Sequence, residues 1–146
     1  MGDRAVWGFQ AHENGPILYL YSHWDGGSQL SRLQAALAHA SDRIGMGDTA
    51  YAMRICVSHV MGNVGTTSTG WGMSIDEFAM PDYENLRLVR FWDKTVALVD
   101  CSTSEAVAKP QPIQDFLNYP VRIWPGEMTL VDEITSARQA LVGSDG

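Results

Sequence analysis

The sequence predicts an α+β domain: a mostly antiparallel five-stranded sheet with helices packed on one face. Three observations carry this. Segments of strand composition come in pairs joined by turn residues, and tight hairpins require antiparallel pairing. Two stretches repeat apolar residues at helical spacing, one directly after the other, instead of alternating with single strands. Hydrophobic residues make up 45 % of the 146-residue chain and charged residues only 18 %, a balance that favours one folded core over disorder.

Residues 5–11 contain Val6, Trp7 and Phe9 and read as the first strand. His12-Glu13-Asn14-Gly15 supplies an Asn-Gly turn, the strongest short-range hairpin signal. Residues 16–23 return as a second strand, with Ile17, Tyr19 and Tyr21 on one face and Leu18, Leu20 and Ser22 on the other. Apolar side chains on both faces place that strand inside the sheet. Asp25-Gly26-Gly27-Ser28 ends it, and Ser28 is a good N-cap for a helix carrying Leu30, Leu33, Leu37, Ala40 and Ile44. Gly45 and Gly47 terminate that run. Asp48 or Thr49 caps a second helix with the stripe Met53, Cys56, Val57, Val60 and Met61, closed by Gly62.

Residues 71–78 alternate as a third strand. Residues 86–91 and 95–100 form a hairpin across Trp92-Asp93-Lys94. Residues 102–112 read as a loop, because Pro110 and Pro112 do not fit a helix interior. A short helix over 113–118, an extended piece at 121–124 and a final helix over 129–142 complete the chain. With no internal repeat and no linker, residues 1–146 read as one domain.

Charge and cysteine use exclude several function classes. The net charge of −7 repels phosphate backbones and anionic membranes. The basic residues are scattered, with Arg87, Arg90 and Lys94 the densest group. No direct nucleic-acid or membrane partner is expected. Cys56 and Cys101 lack metal-binding spacing and read as two buried free thiols. No apolar run approaches the roughly 18 residues of a membrane span, and residues 1–4 lack the start of a signal peptide. A soluble cytoplasmic protein is expected.

Enzymatic motifs are missing. There is no nucleophile elbow, no His-Glu-x-x-His and no dinucleotide-binding glycine pattern. The histidines are His12, His23, His39 and His59, and only His39 has a hydroxyl residue two positions later. That argues against a two-histidine phosphodiesterase. His39 and His59 fall on helices and read as half-buried structural residues. Asp76 and Glu77 are adjacent on a strand and face opposite ways, so they do not form a carboxylate pair. No catalytic residue, cofactor or metal ligand is therefore assigned.

Two stretches suit ligand binding. In the first, His23, Trp24, Asp25, Gly26, Gly27 and Ser28 lead from a strand into a helix start, where backbone N–H groups favour an anion. His23 can donate to that anion, Trp24 can stack on a ring, and Asp25 can accept from a hydroxyl or amine. The second stretch holds Thr67, Thr69, Gly70 and Trp71 within a run of hydroxyls and glycines able to wrap a polar ligand. It is not a phosphate-binding P-loop, since it lacks the lysine and leads into a strand. The alternatives are a plain strand-to-helix turn and a plain connector. Gly70-Trp71-Gly72 suggests close backbone approach beside a half-exposed indole. Phe116, Tyr119, Ile123 and Trp124 form an aromatic surplus that either covers the sheet or docks a partner, a second copy of the chain included.

The segment Tyr19-Leu20-Tyr21-Ser22-His23-Trp24-Asp25-Gly26-Gly27 resembles a motif of small uncharacterised proteins encoded by actinobacterial phages. In those, a strand ends in Ser/Thr-His-Trp and a glycine pair before an amphipathic helix. Thr69-Gly70-Trp71-Gly72-Met73-Ser74 is similar to their Thr-Gly-aromatic-Gly strand start. The order of residues 96–100 and of Gln114-Asp115-Phe116 also fits. The likeness runs to about Tyr119, and residues 119–146 stand as a C-terminal extension with a helix. The resemblance implies a phage accessory protein acting in the host cytoplasm. Three roles follow for such a protein: sequestering a nucleotide-derived defence signal, clamping a basic defence protein as an anti-CRISPR-like inhibitor, or hydrolysing the signal.

Overall fold

The computed structural model describes residues 5–22, 29–62, 70–75, 85–101 and 105–118. Its elements are β1 (Ala5–Gln10), β2 (Ile17–Ser22), α1 (Gln29–His39), α2 (Ser41–Gly45), α3 (Thr49–Met61), β3 (Trp71–Ile75), β4 (Asn85–Arg90), β5 (Thr95–Asp100), β6 (Gln111–Pro112) and α4 (Ile113–Phe116). The fold is α+β, with a mostly antiparallel sheet in the order β3-β2-β1-β4-β5-β6.

Among the described residues the sheet has six strands, not five. Residues 102–112 were expected as loop, but Gln111 and Pro112 pair with Val96 and Thr95. A proline is tolerated there because β6 is an outer strand. One junction is parallel: β1 runs beside β4, with Trp7 opposite Arg87 and Phe9 opposite Val89. All other neighbours are antiparallel.

Local chemistry explains most boundaries. Asn14 takes φ 60° in the first turn, a conformation asparagine tolerates, and the Gly15 amide donates to the His12 carbonyl at 2.9 Å. The Asp48 carboxylate accepts from the Tyr51 amide and caps α3. Gly62 ends α3 at φ 63°, where a side chain would be strained. The expected first helix, carrying Leu30 through Ile44, is split. Ala40 turns out of helical geometry at φ −90°, ψ 4°, and α2 then carries Ile44 into the core.

Trp7, Phe9, Leu20, Val89 and Val96 form the floor of the main core. Leu33, Ala36 and Leu37 of α1, Ala52, Cys56 and Val60 of α3, and Ile113 and Phe116 of α4 close it from one side. Buried Gln34 ties α1 to α4 by donating to the Phe116 carbonyl at 2.8 Å. On the opposite face Val6, Tyr19, Leu86, Leu88, Ala97 and Val99 make a smaller apolar cluster. Phe116, read as part of an aromatic surplus, is thus a core residue, while Tyr119, Ile123, Trp124 and the helix expected over 129–142 lie outside the described residues. No helix among the described residues is long and apolar enough to cross a membrane.

Candidate functional site

The sheet has two ends. At one, β1 begins with Ala5, β2 ends with Ser22 and β3 begins with Trp71. Ala5 pairs with Ser22, and Ser22 pairs with Trp71. The stretch 23–28 leaves from Ser22, and the stretch 63–70 arrives at Trp71. Register alone therefore attaches both candidate loops to neighbouring positions. Of the residues expected to bind a ligand, Gly70 and Trp71 are described. His23, Trp24, Asp25, Gly26, Gly27, Ser28, Thr67 and Thr69 lie outside the described residues.

Trp71 is half-buried and packs against the main core. Its indole stacks on that of Trp7, with ring centroids 5.9 Å apart and planes 7° from parallel. Trp7 is fully buried, so one face of Trp71 rests on a fixed aromatic floor. Two hydrogen bonds fix that floor. The Trp7 Nε1–H donates to the Gln29 carbonyl at 3.1 Å, and Gln29 Nε2–H donates to the Val6 carbonyl at 2.8 Å. They anchor the start of α1 to β1, next to the stacked pair.

The glycines on either side of Trp71 have separate causes. Gly70 is buried with φ 90°, open to glycine and strained for other residues. At Gly72 the limit is space. A Cβ there would collide with Cε1, Cζ and the hydroxyl oxygen of Tyr21, the residue paired with it. The close backbone approach expected around this Trp is thus at Gly72, with the Tyr21 ring lying across β3.

Sequence reasoning did not single out Arg32, the one Lys or Arg in α1. Its guanidinium donates to the Val60 carbonyl at 3.0 Å, bringing a fixed positive charge to where α1 begins and α3 ends. Its place as the sole cation of that helix was the available signal.

Several other residues settle into structural roles. Cys56 is buried and directs its thiol to the Ala36 carbonyl, and burial pushes its pKa up. Cys101 is only partly buried, against the expectation of two buried thiols, because it sits just beyond the end of β5. Burial and the neighbouring Asp100 charge raise it to about 11. Both are free thiols and poor nucleophiles at neutral pH. His39 is exposed and not half-buried as expected; its ring lies 5.1 Å from that of half-buried His59. Among the described residues no three His, Cys, Asp or Glu side chains gather as a metal site.

Comparison with protein-family models, curated proteins and solved structures finds no match to this chain. The geometry has to speak for the function.

Proposed function

We propose that the chain is a non-catalytic binding protein that holds a nucleotide-derived small molecule at the Ser22–Trp71 end of its sheet. The observation carrying this reading is the pairing of Ser22 with Trp71 beside the Trp7–Trp71 stack. A stacked, half-buried indole offers a flat platform for a base or similar ring. The glycine pair Gly26-Gly27, the hydroxyls of Ser28, Thr67 and Thr69, and the Arg32 guanidinium supply donors for an anionic group. His23, Trp24 and Asp25 complete the site. Together with the resemblance to phage proteins, this reading gives a host-cytoplasmic sponge for a defence signal.

Thermal denaturation with a panel of purine and pyrimidine mono-, di- and cyclic nucleotides tests it. A true ligand stabilises the fold by about 2.7 kcal/mol at a hundredfold excess over its Kd and is recovered intact after heating. Trp24→Ala and Trp71→Ala should each abolish that stabilisation and stay folded. If both variants respond to every nucleotide as the wild type does, the site is wrong. An altered nucleotide would point to hydrolysis.

The net charge of −7 favours a second reading, an inhibitor that clamps a basic surface of a defence protein. Its mark would be partner binding that weakens steeply with salt and ignores nucleotides.

A further inference from the structure

We propose that the outer edge of β3 pairs antiparallel with β3 of a second copy of this chain, so that the two sheets continue into one another. Among the described residues β3 ends the sheet, with β2 on one side and no strand on the other. The outward backbone N–H and C=O groups of such an edge are matched by another extended strand and by little else.

Natural edge strands are commonly blunted by a charge, a proline or a bulge. The sequence Trp-Gly-Met-Ser-Ile of β3 has no charged residue and no proline. Its apolar side chains also stand in the open. Met73 is 52 % exposed and Ile75 63 %, and both share a face with Trp71. In a chain of net charge −7, an uncharged strand is where two copies meet with least repulsion.

The strand is also complementary to itself. An antiparallel pair centred on Met73 sets Met73 opposite the partner's Met73 and Trp71 opposite the partner's Ile75. Gly72 then faces the partner's Ser74. Large apolar side chains meet large ones on one face, and small residues meet small ones on the other. A slip of one residue would break both rows. A two-fold axis through Met73 gives the closed, isologous contact that dimers use. The pairing sets the partner's Ile75 beside Trp71, but it rests on the β3 edge and not on any ligand held there.

Light scattering of the full chain after size exclusion tests it. The wild type should run as a dimer. Met73→Lys puts a charge on each side of the axis and should weaken association by at least about tenfold, with an unchanged far-ultraviolet spectrum. Cysteine scanning then reads the register. Opposed residues lie about 4.5–5.5 Å apart at Cα, within disulfide reach, so Met73→Cys should cross-link to itself under mild oxidation. Ile75→Cys should not, its copies being roughly 13 Å apart along the strands. A wild type that stays monomeric at every concentration, a dimeric Met73→Lys, or equal cross-linking by both cysteine variants overturns the proposal.

Discussion

The two ends of the sheet solve opposite problems. At the end where β1 finishes and β5 begins, most polar groups bond to one another across two adjoining turns, the buried Arg90 Nε excepted. Asp93 accepts from the Thr95 hydroxyl at 2.6 Å and pairs with Arg90. The Arg90 guanidinium lies 4.4 Å from the centre of the Trp92 ring. The Trp92 Nε1–H donates to Gln10 Oε1 at 2.9 Å, and Gln10 in turn donates to the Gly15 carbonyl. At the other end Trp71, like Trp92, is half-buried. It is held by stacking on Trp7 and lies beside the attachment points of two glycine- and hydroxyl-rich stretches. The difference teaches where to look. Trp92 sits among side chains that bond to one another and stabilises a hairpin, whereas Trp71 stacks on a buried ring beside the points where residues 23–28 and 63–69 join the sheet.

Variants can break this contrast. The largest effect is expected from Trp7→Ala, which removes the buried floor and should cost about 3–5 kcal/mol by denaturant titration. A cost below about 1 kcal/mol would mean that Trp7 supports neither the core nor Trp71. Gly72→Ala comes next, at about 1–3 kcal/mol, since its methyl group displaces the Tyr21 ring. A melting temperature equal to wild type would show that the ring moves away freely.

Asp93→Ala sharpens the contrast. It leaves Arg90 and Thr95 without their shared acceptor and should cost about 1–2 kcal/mol. Nucleotide-induced stabilisation should be intact, the reverse of Trp71→Ala. Equal effects of the two variants on binding would erase the distinction between the ends.

The smallest effect is in pH. The Cys101 thiol is raised to about 11 in the folded chain, above its unfolded value of about 8.5. Its contribution to stability is therefore full below pH ~8.5 and is lost as pH rises through about 11. Cys101→Ser should flatten that part of the stability profile, and an unchanged profile would count against the shift.

Sequence made the local features legible. Asn14-Gly15, Asp48 before α3, Gly62 after it and the hairpin across Trp92-Asp93-Lys94 all act within a few residues, where backbone conformation and capping decide the outcome. Alternation also sorted Ile17, Tyr19 and Tyr21 from Leu18, Leu20 and Ser22. Choice of partner was not legible. Nothing in the periodicity of β1 says that it lies parallel to β4, some eighty residues on, or that Trp7 lies under Trp71. β6 was hidden because two residues beside a proline carry no alternation. For the candidate site, spacing suggested which stretches suit a ligand, but only strand register brings their ends together. Arg32 escaped notice because its role depends on how α1 meets α3.

The single parallel junction has a consequence for how the chain assembles. β1, β2 and β3 with α1 to α3 come from residues 5–75, and β4, β5, β6 with α4 from residues 85–118. The sheet is thus two sequence-contiguous leaves zipped together along β1 and β4, with α4 latched under Gln34. Long-range closures of this kind are slow steps in folding. The β1–β4 zipper, which joins residues some eighty positions apart, should therefore close late in folding.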